Sequence, residues 1–349
     1  MTLPSLDKEY LISFLTGLLN MHSPTGYAHP AIEYTQQTLA AYPQLSLSLN
    51  RKGSLIAAWP GEHSDAPRAL TMHADTLGAM VKEIKANGRL KLTRIGGLVW
   101  NSVETEGCTV FTQRGGTVRG SLLIEKASSH VHGKETVEME RNEENMEVRL
   151  DALTNSAHET RLLGIQVGDF VAFDPRVEVT NGFIRSRFLD DKACVAAIAA
   201  AIKSLADSGV TPAQTAYFHI SNYEEVGHGA SAGIPADVTE LVTVDMAAVG
   251  PGQESDEFHA TLCVKDSGGP YHHGLSSRLR ALADKHAIPY KVDIYPHYGS
   301  DGEAWWRAGA DAAVALIGPG VDASHNYERT HTEALVATAK WVLAYLLEE

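Results

Sequence analysis

The residues with the strongest chemical character gather in five short motifs: HAD at 73–75, LDDK at 189–192, YEEVGHG at 223–229, VDM at 244–246 and ERTH at 328–331. Imidazole nitrogen and carboxylate oxygen together suit Zn²⁺, Co²⁺ and similar ions. Two histidines with three carboxylates can hold a pair of ions if one carboxylate is shared. In a strand, His73 and Asp75 point to the same face, so Asp75 is expected to hydrogen-bond the His73 ring and fix its metal-binding tautomer. Glu224 and Glu225 cannot both face one ion from regular strand geometry. The expected division is that Glu225 ligates while Glu224 takes a proton from an activated water and delivers it to the leaving amine. Each piece alone has a plainer reading: Asp190 and Asp245 as helix caps or loop residues, a single histidine as a satisfied surface or core group, tandem glutamates on a solvated face. Their joint order points to a metal hydrolase.

The motifs fall at predicted strand ends. Apolar runs at 69–73, 216–220 and 241–244 read as strands of a central sheet, and further strands are expected at 45–49, 55–59, 290–295 and 312–317. Helical periodicity appears at 7–19 (with Ser5 as N-cap), 31–41, 191–206, 275–286, 303–308 and 332–347. In open α/β sheets ligands sit beyond the carboxyl ends of the strands, where residues distant in sequence converge. After Gly78 the character changes to short strands at 80–84, 90–95, 109–112 and 118–124, glycine-rich turns and a polar, loop-prone stretch at 128–159. This predicts an all-β module at 77–175 set inside an α/β catalytic domain formed by 1–76 and 176–349.

At 349 residues the chain exceeds the ~250–300 at which single cores stop growing. Apolar residues at 44% and charged residues at 21% are ordinary for a globular protein. The longest apolar run, 194–202, is far short of the roughly 18 residues that span a bilayer. Cys108, Cys194 and Cys263 lie far apart, which disfavours both a disulfide framework and a thiolate zinc site and fits a reducing cytoplasm. A formal charge of -14 repels phosphate backbones and anionic lipid, so neither nucleic acid nor membrane is an expected partner.

In order along the chain, HAD followed by LG, SRFLDDK, EEVG, a strand-borne VD, GSD and a late His followed by x-Glu resemble the tetrahedral aminopeptidase family of dinuclear metallopeptidases, which includes glutamyl and deblocking aminopeptidases. The resemblance covers nearly the whole chain. It implies a phosphorylase/hydrolase-like mixed sheet with helices on both faces and a β-barrel inserted after the first metal histidine. It also implies homo-oligomers built through that barrel, from dimers to tetrahedral dodecamers. Two divalent ions per subunit, Zn²⁺ or Co²⁺, and removal of N-terminal residues from short peptides follow from the same source. Carried over by motif, it assigns His73, Asp190, Glu225, Asp245 and His331 to the metals with Asp190 bridging, Glu224 as general base and acid, and Asp75 as support for His73. Where members often read Asp-Asn-Arg or Asp-Asp-Arg, this chain has Asp190, Asp191 and Lys192, and the first aspartate is taken as the bridge. His331 is preferred over His325 because it sits just before the final helix, with Glu333 two residues on. Asp301 and His297 in HYGSDGEAWW, and Gly268 in DSGGPYHH, are candidate substrate-binding residues. An N-cap for Asp301 and a tight turn around Gly268 are the structural alternatives.

Rival classes leave weaker marks. GASAG at 229–233 fits GxSxG with Ser231 as nucleophile, but a nucleophile elbow needs a strand directly before the serine and a helix directly after, and EEVGH and Pro235 occupy those places. HVH at 130–132 could bind metal from one strand, yet no carboxylate motif accompanies it. A non-catalytic assembly protein would be expected to lack Glu224 or a ligand. Dinuclear deacylases and carboxypeptidases share the metal set, and the family likeness selects aminopeptidase.

Overall fold

The computed structural model describes residues 2–349. Gln214–Ser221, His63–His73, Glu240–Val244 and Ala313–Asp322 lie side by side in that order, all parallel, at the centre of a 12-stranded mixed sheet. Their near-continuous apolar runs are explained by burial on both faces. Alternate residues feed two separate cores. Leu70, Val242, Ala315 and Ile317 pack with the helices Leu189–Ser208 and Thr332–Leu346. Ala69, Leu241, Val314 and Leu316 pack with Trp305 of the helix Asp301–Arg307.

The alanines of Leu189–Ser208 have no side chain beyond Cβ, so the helix fits closely between the sheet and the helices Lys8–Leu19 and Thr332–Leu346. Asp7, not Ser5, caps Lys8–Leu19, its Oδ1 accepting the Tyr10 N–H at 2.9 Å.

Directly after His73 the chain leaves the sheet and builds a closed six-stranded antiparallel barrel in the order Gly78–Ile84, Leu90–Ile95, Met146–Leu150, Thr117–Ile124, Gly107–Phe111, Phe170–Phe173. Alternate residues such as Val81, Leu92, Val110, Leu122 and Val171 are fully buried. Gly78 is required at the entry, because a Cβ there would come within 2.6 Å of the Pro24 Cβ.

The strand Met146–Leu150 lies in the stretch expected to be loop. Only Met146, Glu147 and Val148 in it are buried, too short a signal to stand out between polar neighbours. His130 and His132 sit on the exposed helix Ser129–His132 rather than on a strand, so their i, i+2 spacing does not put them on one side. Among the described residues no helix is long and apolar enough to cross a membrane.

Candidate metal centre

Parallel pairing aligns His73 with Ser221 at the carboxyl ends of their strands, and Val244 of the next strand hands the chain to Asp245. His73, Asp190 and Asp245 are all buried and bring one donor atom each within 4.8 Å of one another. Asp190 and Asp191 break the regular dihedrals of their helix. Asp190 therefore turns its carboxylate to His73, with Oδ1 3.1 Å from Nε2, while the Asp191 carboxylate accepts the backbone N–H of His73 at 3.2 Å.

The His73 ring is oriented by main chain. Its Nδ1–H donates to the Asp75 carbonyl at 2.9 Å, and the Asp75 carboxylate stands 3.7 Å from that nitrogen. This corrects the expected side-chain contact. The Asp75 carboxylate instead accepts the Thr25 hydroxyl at 2.6 Å and the backbone N–H groups of Glu224 at 3.3 Å and Glu225 at 3.4 Å. It thus holds the 3₁₀ turn Glu224–Val226 that follows left-handed Tyr223. From that turn the Glu224 Oε2 lies 3.6 Å from His73 Nε2, and Glu225 Oε2 lies 3.7 Å from His325 Nε2.

His325 was not the expected histidine. It sits in a turn where both it and Ala323 have positive φ, 64° and 59°, and its Nε2 is 3.6 Å from Asp190 Oδ2. Its Nδ1–H donates to the carbonyl of Gly97, in the barrel, at 3.3 Å. His331 points elsewhere: it caps the last helix, its Nδ1 accepting the Glu333 N–H, and packs edge-on to Phe183 at 4.9 Å between ring centres and against Phe258 at 5.3 Å. Glu328 completes the cluster from behind, its buried carboxylate accepting the backbone N–H of Asp190 at 3.1 Å and of His325 at 3.0 Å. Neither Gly97 nor Glu328 was singled out from sequence. Glu328 opens the ERTH motif, and its spacing from His325 was the available signal.

Asp190, Glu224, Glu225, Asp245 and His325 border a cleft of about 370 Å³ that also includes His297, Tyr298 and Arg307. Of the three candidate substrate residues, His297 lines it. Asp301 does not: it is 2% exposed, with Oδ1 accepting the Ala230 N–H and Oδ2 facing the hydroxyls of Ser221 and Thr71. Gly268 lies beside a neighbouring depression, and its missing side chain makes room for the Glu303 carboxylate, whose Oε1 would be 1.3 Å from a Cβ. Ser231 has no imidazole partner: its hydroxyl donates to the His228 carbonyl at 2.8 Å and accepts from Lys52 Nζ at 3.0 Å, and that ammonium is also held by the carbonyls of His228 and Gly229, so the structure provides no Ser–His pair.

Among the described residues, none of the carboxylates of Asp190, Glu224, Glu225 and Asp245 has a lysine or arginine within 4.0 Å, and the ionic neighbours of the first three are His73 and His325. Burial pushes Glu224 and Glu225 well above the usual carboxylate range, and burial followed by Asp190 pushes Asp245 up to about 7. Buried and half-buried acids without lysine or arginine partners, facing two imidazoles whose Nδ1–H groups are held by main-chain carbonyls, fit a bound cation. Nitrogen and oxygen donors suit a divalent metal.

The M42 glutamyl aminopeptidase family matches residues 53–341. The chain belongs to this family. It is 48% identical over 330 residues to YhfE of Bacillus subtilis (strain 168), covering 94% of this chain and 95% of that protein. It is 24% identical over 311 residues to lysyl aminopeptidase of Pyrococcus furiosus, covering 84% of each. Among solved structures, aminopeptidase APDkam598 of Desulfurococcus kamchatkensis superposes with a TM-score of 0.87 at 20% identity over 98% of this chain and 96% of that one. The TET1 peptidase of Pyrococcus horikoshii, which can assemble into a tetrahedron or a large octahedral shell, gives 0.84 at 21% identity over 97% and 100%. Membership of the M42 family makes the chain an aminopeptidase, and the two structures share its fold.

Proposed function

We propose that this M42 aminopeptidase works with two divalent ions, Zn²⁺ or Co²⁺, and removes N-terminal residues from short peptides. The observation that carries the reading is the division of Asp190: Oδ1 faces His73 Nε2 at 3.1 Å and Oδ2 faces His325 Nε2 at 3.6 Å. His73, Asp190 and Asp245 would hold one ion, and Asp190, Glu225 and His325 the other, with His325 in the role first expected of His331. Bound there, the ions supply Lewis acidity toward water and the scissile carbonyl.

The protein's own groups handle position and protons. Glu224, at the cleft, accepts the proton of the attacking water and returns it to the departing amine. Asp75 fixes both glutamates through their backbone N–H groups and, through its carbonyl, the tautomer of His73.

The reading extends to a homo-oligomer assembled through the barrel, supported by exposed apolar side chains there, among them Val131, Val137, Leu153 and Leu162. Three free, buried cysteines support a reducing cytoplasm. The direct test is to incubate metal-loaded protein with a peptide and its N-acetylated form and identify products by mass. Release of the first residue from the free peptide alone is expected. Cleavage of the acetylated peptide, or release of the last residue, would overturn the reading.

A further inference from the structure

One cation borders the cleft. Of the residues lining it, Arg307 alone is an arginine or lysine, and it stands apart from the histidine and carboxylate cluster in sequence and element. Its helix, Asp301–Arg307, is tied to the site at its start, where Asp301 bonds the hydroxyl of Ser221, the register partner of His73. At ~1.5 Å of rise per residue, Arg307 lies about 9 Å along the helix from that anchor.

The plain account of Arg307 is its i, i+4 pair with Glu303, Nη2 to Oε2 at 3.0 Å. That pair leaves the Arg307 side chain 68% exposed and, among the described residues, its Nη1 without a protein acceptor. An exposed helical pair of this kind adds little stability. Burial, then a hydrogen bond to Asp266, push the Glu303 carboxyl up to about 7. A guanidinium with free donors at the border of a small cleft is suited to a planar carboxylate.

We propose that Arg307 receives the C-terminal carboxylate of the substrate, which makes dipeptides and tripeptides the favoured substrate class. The inference rests on the aminopeptidase reading, because that reading puts the first peptide bond at the metal cluster and the free carboxylate one or two residues beyond. A cleft of about 370 Å³ is at the small end for ligand sites and agrees with a substrate of that length.

The test uses matched dipeptides and tripeptides as free acids and C-terminal amides, with the metal-loaded wild type, Arg307→Ala and Arg307→Lys. For the wild type, kcat/KM for the acid should exceed that for the amide by roughly tenfold, with the difference in KM. In Arg307→Ala the acid-to-amide ratio should fall to about one, and Arg307→Lys should restore part of it. An acid-to-amide ratio unchanged by Arg307→Ala overturns the proposal, as does a loss in kcat shared by both substrates. So does a loss that follows an acidic first side chain instead of the C-terminus. If the wild type cleaves neither form, the aminopeptidase reading fails by itself. Calorimetric titration of the same pair then decides Arg307, with tighter binding of the acid that is lost in Arg307→Ala supporting it and equal binding overturning it.

Discussion

Glu328 Oε1 accepts the backbone N–H of His325 at 3.0 Å while its Oε2 accepts that of Asp190 at 3.1 Å, so one buried carboxylate fixes two segments of the centre. A glutamine can accept with only one of those atoms and would aim its amide N–H groups at the other backbone donor. Glu328→Gln should therefore weaken metal binding by about tenfold to a hundredfold, the range typical of groups that orient ligands. Competition with a chromophoric chelator measures it, with circular dichroism as the check on folding. Unchanged affinity would show that Glu328 does not position the site.

His325 and His331 make opposite predictions. His325→Ala should lose about one equivalent of metal per subunit and most of the activity. His331→Ala should keep the full metal content and lose stability through its contacts with Phe183 and Phe258. Elemental analysis of the two variants decides between them, and metal loss in His331→Ala alone would reverse the assignment.

Glu224→Gln keeps shape and removes the proposed proton carrier. Its kcat should fall by about 10²–10⁴-fold with metal content retained. Near-normal turnover by this variant contradicts a proton-transfer role for Glu224.

The contrast between these residues shows what the sequence could convey. His73 ends the strand His63–His73, Asp245 follows Glu240–Val244 and Asp190 lies in the first turn of Leu189–Ser208, all elements with a strong periodic signal, so the approach of these three is legible in the sequence. His325 depends on two non-glycine residues with positive φ, Ala323 and His325 itself, and no residue pattern announces such a turn. His331 drew attention by adjacency to the last helix, where a histidine can equally serve as cap. The HAD motif points to Asp75 but not to its partners: the carbonyl, rather than the carboxylate, meets the His73 ring because the carboxylate is engaged by Thr25 and the turn at Glu224. The missing barrel strand Met146–Leu150 becomes a strand through its partners Leu90–Ile95 and Thr117–Ile124, a tertiary effect that local periodicity does not carry.

Away from the centre, Glu240 links the sheet to the last helix. It bonds Arg278 at 2.8 Å, accepts the Tyr345 hydroxyl at 3.2 Å and lies 3.8 Å from Arg68. Against the upward push of burial, Arg278 and then Arg68 hold its carboxyl below the ordinary value. A lowered folded-state pKa means that the unfolded chain binds the proton more readily. The stabilisation is therefore complete above the unfolded value, ~4.3, and disappears as pH falls through the folded one. Glu240→Gln should cost about 1–3 kcal/mol at pH 7, with the gap to wild type closing below about pH 4. Denaturant unfolding at both pH values measures this, and a gap independent of pH would contradict it.

The pair of metal ions is the centre of the proposed chemistry. Protein stripped by a chelator, dialysed and titrated with Zn²⁺ or Co²⁺ while hydrolysis of a free N-terminal peptide is followed should be inactive at zero metal and reach full activity at two equivalents per subunit. Undiminished hydrolysis by the stripped protein, or saturation of both binding and activity at one equivalent, would contradict a pair of ions joined through Asp190.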